Sequence, residues 1–328
     1  MRRVRVFFHD KCFDGSVSAA VFSALYRARI QAEAEFEYRG LAHKANDLFN
    51  PAEFTGDENA IVDFKYSPDP RITWWFDHHQ SAFLSAADAE HFRQDAGGRK
   101  FYDPESPSCA SFIAHIGRER FGFDSAPVAE LTRWSDIIDS ASFASAEAAV
   151  ALAEPALKLT LAIEGSRRPD FLQRLIPDYL RHSLEQLLRL DYVQQELQPL
   201  LERHRETQKL MRGLLDCHGG VAYFDLTEYD LEGYNKFIPY ALCPRTVYSV
   251  GVSRSSFRTK VSVGSNPWHA VPGMINLASL CEQYGGGGHP RVGAISFEPG
   301  ALQAARQAAQ DIAGLLRRQL QNGGAAEN

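Results

Sequence analysis

Several things are scarce in this sequence. The five cysteines (Cys12, Cys109, Cys217, Cys243 and Cys281) are scattered, odd in number and form no CxxC pair. That pattern argues against a disulfide framework and a structural zinc site, and it suits a reducing cytosol. Basic residues are not in excess: Lys plus Arg number 35 against 41 Asp plus Glu, a net charge of −6. Proteins held on long nucleic acid by bulk electrostatics are ordinarily basic. A stable duplex partner is therefore not expected, and any nucleic-acid contact should be local, with a short substrate. No apolar run approaches the ~18 residues that span a bilayer. The start, "MRRVRVFFHD", lacks an apolar stretch of signal length. A cytoplasmic protein without a membrane partner is expected, and no internal repeat is visible.

What is present is 328 residues, 45% of them hydrophobic, enough for a packed core and more than one domain. "VRVFF", "EAEFEYRG", "NAIVDF" and "ITWWFD" read as strands, with "GSVSAAVFSALYRAR" helical between the first two. "SCASFIAHIGRERFG" and "APVAELTRWSDIIDS" also read as helices. Strands separated by helices predict an α/β fold with a parallel sheet. A Leu-rich, charged stretch follows from about Asp170 to Leu215, with Pro177 and Pro199 predicted to mark breaks or helix starts. Strand signals return in "GVAYFDL", "TVYSVGVSR" and "FRTKVSVGS", the last two predicting a hairpin around Ser255 and Ser256. "MINLASLCEQY" reads as a helix, "GGGGHP" as a loop and "RVGAISF" as a strand. A final helix runs through "ALQAARQAAQDIAGLLRRQLQ".

The chemistry lies at strand ends. "VRVFF" is followed by His9 and Asp14, "AIV" by Asp63, and "TWWF" by Asp77, His78 and His79. Parallel strands would bring their carboxyl ends to one edge, where such sheets bind ligands. That converges His9, Asp14, Asp63 and His78. Taken singly, a strand-end aspartate is more often a cap or turn residue, and a lone histidine more often a hydrogen-bonded interior group. Two imidazoles and a carboxylate together are costly to bury without a shared partner. Carboxylate and imidazole donors suit Mn²⁺, or Mg²⁺ where imidazoles are fewer. Asp63, alone at its strand end, could bridge two ions.

"HDKCFDGSVSAA", "IVDF", "FDHHQS" and "GGGGHP", in this order, resemble the DHH phosphoesterase superfamily with its DHH-associated C-terminal domain. The resemblance covers most of the chain, and it is the set of motifs rather than "DHH" alone that is specific. It implies a Mn²⁺-dependent hydrolase, with two ions and a cleft between two domains. By motif it implies His9, Asp14, Asp63 and His78 as metal ligands, His79 facing the scissile phosphate, and Asp77 orienting a histidine. The fourth motif supplies one more aspartate from "RWSDIIDSASF". Asp136 is preferred there, with Asp139 read as a cap for the next segment. One position departs from the pattern: Cys12 stands where the first aspartate of Asp-x-Asp-Gly would be. Either Asp10 substitutes for it or Cys12 ligates as a thiolate, the bland reading being a small buried residue.

The resemblance also makes Gly286, Gly287, Gly288 and His289 a substrate-gripping loop, with Arg254, Arg258 and Lys260 on or beside the hairpin as further phosphate contacts. "GSNPWH" adds Asn266, Trp268 and His269, with Trp268 either a stacking platform or core. The predicted organisation is a catalytic metal-binding domain over 1–165, a helical connector over 166–218, a smaller α/β substrate-binding domain over 219–322 and a disordered tail over 323–328. The expected substrate is a short single-stranded oligonucleotide or a small nucleotide, as in the nanoRNase-like branch. Hydrolysis of polyphosphate, or a catalytically impaired nucleotide-binding regulator, are the alternatives. Assembly as a homodimer stays open.

Overall fold

The structure, a computed structural model, describes residues 1–42, 48–229, 231 and 233–324. The chain divides into two units: 1–143 with 152–200, and 144–151 with 201–328.

The first unit is a parallel α/β layer. Its elements are β1 (Arg3–His9), α1 (Phe13–Arg29), β2 (Glu35–Leu41), β3 (Glu58–Val62), β4 (Ile72–Asp77), α2 (Ala86–Arg93), β5 (Lys100–Tyr102), α3 (Cys109–Phe121) and α4 (Ala129–Asp139). The sheet order is β2-β1-β3-β4-β5, parallel throughout. β5 is a strand that the sequence reading did not anticipate. Three residues long, it is too short to show periodicity.

Both faces of this sheet are covered. Trp74 packs towards α1 against Phe22 and Tyr26, while Trp75 joins Phe7, Ile61, Phe64 and Tyr66 on the other face. Adjacent side chains point to opposite faces of a strand, so an aromatic pair fills both layers at once. Each indole N–H has a partner: Trp74 Nε1 donates to Glu58 Oε2 (2.6 Å) and Trp75 Nε1 to the Phe64 carbonyl (2.9 Å). Each ring fully buried in this way contributes on the order of 2–3 kcal/mol.

In the second unit α5 (Ala146–Ala151) precedes, in chain order, α6 (Pro155–Gly165), α7 (Phe171–Asp178) and α8 (Leu184–Leu187), which belong to the first. The boundary then falls inside α9 (Asp191–Leu214), so the stretch 166–218 is shared between the units rather than standing apart. Pro177 and Pro199 lie inside α7 and α9, contrary to the expected breaks. Each costs a helical hydrogen bond. Buried Phe171, Leu172, Leu175 and Ile176 in α7, and Val193, Leu197 and Met211 in α9, offset that loss.

The second sheet contains β6 (Asp216–His218), β7 (Val221–Asp225), β8 (Tyr248–Arg254), β9 (Thr259–Ser265), β10 (Gly287–His289) and β11 (Val292–Phe297), in the order β10-β11-β9-β8-β7-β6. Only β7 and β8 pair in parallel; the other pairings are antiparallel. α10 (Ile238–Leu242), α11 (Leu277–Glu282) and α12 (Leu302–Gly324) accompany it. β8 and β9 form the expected hairpin, with Ser255 N–H donating to the Arg258 carbonyl. "GGGGHP" is not a loop: its Gly287–His289 segment pairs with β11 as β10. A Cβ on Gly286 would lie 2.3 Å from the Ala294 carbonyl oxygen, so glycine there permits the close strand approach.

Cys217 and Cys243 are joined by a disulfide, with Cα atoms 6.2 Å apart. The cysteine pattern argues against a disulfide framework, and one isolated bond is nonetheless formed. Residues 26 apart in sequence meet only when β6 and the end of α10 are both in place, so spacing alone did not show the pair. Of the expected tail, 323 and 324 close α12, and 325–328 lie outside the described residues. Among the described residues, no helix is long and apolar enough to cross a membrane.

Candidate metal centre

The parallel strands β1, β3 and β4 end at the same edge of the sheet, and their terminal residues meet there. His9 closes β1, and Gly15 in the first turn of α1 comes so near that a Cβ would lie 2.3 Å from the His9 carbonyl oxygen. Asp63 follows β3 directly in a left-handed backbone conformation (φ 56°), and its N–H donates to the Phe76 carbonyl of β4. That conformation is uncommon outside glycine, asparagine and aspartate, and it turns the chain sharply at the strand end.

Asp63 is the hub. Its carboxylate is buried, with Oδ2 3.4 Å from His9 Nδ1 and Oδ1 3.5 Å from His78 Nε2 and 3.7 Å from His79 Nδ1. His78 Nε2 also lies 3.7 Å from Asp14 Oδ2 and 3.5 Å from Asp139 Oδ2. Among the described residues, neither Asp63 oxygen nor His78 Nε2 has a well-formed hydrogen bond, although all three are buried. Buried polar atoms are ordinarily satisfied, so these are aimed at something the polypeptide does not supply.

The histidines are held from behind. His78 Nδ1 faces the Ser106 carbonyl at 2.9 Å, which fixes an N–H there and turns the Nε2 lone pair towards the aspartates. Asp77 Oδ1 accepts from His79 Nδ1 (2.7 Å) and from the backbone N–H groups of His78 (2.8 Å) and His79 (3.2 Å). Asp77 therefore orients this corner of the chain. Asp14 has two tasks: Oδ2 accepts from Cys109 N–H (2.7 Å) and Oδ1 from Ala110 N–H (3.0 Å) at the start of α3, tying α1 to α3. A carboxylate has four lone pairs, so Oδ2 can still serve the cluster.

Electrostatics follow from this crowding. Burial, Asp63 and Asp139 push the Asp14 carboxyl well above its ordinary value. Burial also works on Asp63, but the imidazoles of His78 and His9 outweigh it and hold that group ionised below the usual carboxylate range. Burial would lower His78, yet Asp63 and Asp14 raise it to about 10. His79 is raised to about 8 because Asp77 and Asp63 overcome burial. The site thus holds a positive charge among carboxylates by keeping protons.

A divalent cation fits the donor set. Three groups bring their donor atoms within 4.8 Å of one another: His9, Cys12 and Asp63; Asp63, His78 and His79; and Asp14, His78 and Asp139. Imidazole and carboxylate donors, with Asp63 shared between two groups, are ligand types that hold divalent metals.

The structure brings together His9, Asp14, Asp63, Asp77, His78 and His79. It does not bring Asp136 to the cluster: Asp136 Oδ1 accepts from the Ser108 hydroxyl at 2.6 Å, while Asp139, one turn on, reaches His78. Asp139 rather than the expected Asp136 is thus the α4 carboxylate that stands by His78. Helical phase carried the signal: Leu131 and Ser135 are buried at i and i+4, and Asp139 continues that stripe. Ser106 and the α3 N-terminus were missed, since a backbone carbonyl and amides leave no mark in sequence. Asp10 lies elsewhere, its Oδ1 accepting from Lys11 N–H and its carboxyl group against Gly40. Two surface hollows of about 550 and 480 Å³ beside Arg27 and Phe36 contain none of these residues.

In the second unit, Arg258 donates to Ser296 Oγ (3.1 Å), Arg254 is exposed, and burial together with Arg258 lowers Lys260 from its ordinary value. Gly288 and His289 are exposed on β10, and Gly287 is half-buried. Asn266 is buried and clamps a loop, donating to the Thr246 carbonyl (2.7 Å) and accepting from Trp268 N–H. Trp268 is half-buried edge-on to Phe237, and His269 is exposed.

With this geometry in place, comparison with known proteins separates fold from sequence. No family model and no curated protein matches the sequence significantly. Solved structures do match. A pGpG-specific phosphodiesterase, PggH, from Vibrio cholerae superposes with a TM-score of 0.68 at 17% identity, over 98% of this chain and 100% of that one. The chain has the fold of that protein. RecJ from Thermus thermophilus in complex with Mg²⁺ matches with a TM-score of 0.52 at 14% identity, over 95% of this chain and 50% of RecJ. An exonuclease RecJ bound to manganese gives 0.52 at 13% identity, over 95% of this chain and 90% of that one. The α/β fold expected from the motifs is thus shared with these proteins across nearly the whole chain.

Proposed function

We propose that this chain is a divalent-metal-dependent phosphodiesterase of the DHH type, acting on short oligonucleotides or small nucleotides. One observation carries the reading: the buried Asp63 carboxylate, without a well-formed hydrogen bond among the described residues, stands among His9, His78 and His79 at the sheet edge. His9, Asp14, Asp63, His78 and Asp139 would hold the metal. When bound, it would activate water and stabilise the charge that develops on the phosphate.

The chain's own residues do the rest. Asp77 fixes the tautomer and direction of His79, which faces the phosphate and donates to its developing charge. The Ser106 carbonyl does the same for His78. In the second unit Arg258, directly before β9, and Lys260 within it would, with Gly287, Gly288 and His289 of β10, grip substrate phosphates. The full-length match to a phosphodiesterase named for pGpG supports a substrate as small as a linear dinucleotide.

The test is a hydrolysis panel with Mn²⁺ or Mg²⁺: di- to pentanucleotides, 3′-phosphoadenosine 5′-phosphate, cyclic dinucleotides and polyphosphate. The expected result is release of mononucleotide from the shortest linear substrates, abolished in Asp63→Ala, His78→Ala and Asp139→Ala and largely kept in Asp136→Ala. Equal activity in Asp63→Ala would sink the assignment. Turnover of polyphosphate alone would replace the substrate class, and nucleotide binding without turnover would point to a regulator.

A further inference from the structure

Cys12 stands where a carboxylate was expected, and the structure removes the alternative substitute. Asp10 is turned onto β2: a Cβ on Gly40 would lie 2.6 Å from Asp10 Cγ, and no donor group of the cluster includes it. Cys12 instead belongs to the group formed with His9 and Asp63, its sulfur within 4.8 Å of an imidazole nitrogen and a carboxylate oxygen.

Cysteine is an unusual residue for its place at the start of a helix. Cys12 is the N-cap of α1, with extended backbone (φ −119°, ψ 133°), and its side chain makes no capping hydrogen bond. Serine, threonine, aspartate and asparagine are the residues that serve that position. The preceding Lys11 is left-handed (φ 54°), so the chain folds back and returns Cys12 to the end of β1. The second observation is independent of the cysteine: among the described residues both buried oxygens of Asp63 lack a well-formed hydrogen bond, and Oδ2 lies 3.4 Å from His9 Nδ1 of this group.

We propose that Cys12 is a thiolate ligand, so that the centre offers two chemically unlike cation positions. One, at His9, Cys12 and Asp63, presents nitrogen, sulfur and oxygen. The other, at Asp14, His78 and Asp139, presents nitrogen and oxygen only. Sulfur donors favour Zn²⁺, Co²⁺ or Fe²⁺ over Mn²⁺ and Mg²⁺, which prefer oxygen. The position with Cys12 therefore takes the softer ion and the oxygen-rich position the harder one. This inference rests on the reading of the site as a metal centre.

The test uses the full chain and Co²⁺ alone, without substrate. Binding is counted by equilibrium dialysis, and the sulfur-to-cobalt charge-transfer band is followed in the near ultraviolet. The wild type should show the band. Cys12→Ser and Cys12→Asp should lose it, and Cys109→Ala should keep it. Cys12→Asp, which restores a carboxylate, should shift the preference from Co²⁺ towards Mn²⁺ by at least about tenfold, a scale seen even for groups that only support ligands. Should Cys12→Ser fail to fold, the aspartate variant carries the test. Cobalt bound without the band, or a band that survives in both variants, would overturn the thiolate assignment while leaving the metal centre intact. A wild-type chain that binds neither cobalt nor manganese would overturn the metal centre itself.

Discussion

In the five-stranded sheet β3 is buried at every position and β4 at all but Thr73, whereas in the six-stranded sheet β9 alternates buried and half-buried residues along its length. The difference follows from pairing. The inner strands of a parallel sheet covered on both faces are largely apolar, and a charge within them needs a partner, as Glu58 has in Arg2 and the Trp74 indole, so most polar chemistry gathers at the strand ends. His9, Asp63, Asp77 and His78 sit there. A largely antiparallel sheet can leave one face open, and Lys260, Ser262 and Gly264 occupy that face of β9 between inward Val261 and Val263. The first arrangement concentrates function at a point, and the second spreads it over a surface. Substitutions should therefore act steeply at the first sheet's edge and gently on the second sheet's face.

The steepest case is Asp63→Asn. Asparagine keeps the shape and tolerates the left-handed backbone, so the chain should still fold, with a lower metal-free melting temperature because His78 and His79 lose a carboxylate that holds their protons. Metal-dependent hydrolysis should fall by on the order of 10³-fold, the scale of losing several kcal/mol of charge stabilisation. Activity assays beside thermal melts check both halves. A variant that stays active would break the contrast.

Next come stability effects within the sheets. Trp75→Ala in β4 should cost about 3–5 kcal/mol, because a fully buried ring is removed. Phe257→Ala, at the exposed tip of the β8–β9 hairpin (69% exposed), should cost under about 0.5 kcal/mol. Chemical denaturation reads the pair.

The protonated cluster predicts a pH dependence. His78 and His79 in the metal-free chain are raised to about 10 and about 8, above their ordinary 6.5. Their stabilisation is fully present below pH 6.5 and is lost as pH rises through about 8 and about 10. The metal-free melting temperature should fall across that window. Mn²⁺ affinity should rise over the same range, because the ion replaces those protons. Calorimetry at pH 7.5 in buffers of different ionisation enthalpy should show net proton release on binding.

The gentlest effect is expected on the second sheet. Arg258→Ala removes one cation and its contact with Ser296. It should raise KM roughly fivefold, about 1 kcal/mol, with kcat unchanged. A large fall in kcat would place Arg258 at the reacting atoms and erase the distinction between point and surface.

Much of this was legible in the sequence, for particular reasons. Apolar runs such as "ITWWFD" define buried strands because a two-sided core demands them. Placing Asp63 and the Asp77-His78-His79 run directly after such strands fixes them at one edge once the strands are parallel. Short elements without periodicity, β5 and β6, were not legible, nor was β10, because three residues take their conformation from the strand beside them. The prolines inside α7 and α9 were misread because tertiary burial offset their local cost. Asp136 and Asp139 are one turn apart in one helix, and composition cannot tell which reaches a neighbour. The packing of α4 against α1 and α3 made that choice, sending Asp136 to Ser108 and Asp139 to His78. The Cys217–Cys243 bond and the grouping of Cys12 with His9 and Asp63 were likewise decided in three dimensions. The sequence by itself determined which chemical groups exist and which strands carry them. Only the tertiary structure decided which atoms meet, because packing between elements far apart in the chain sets those distances.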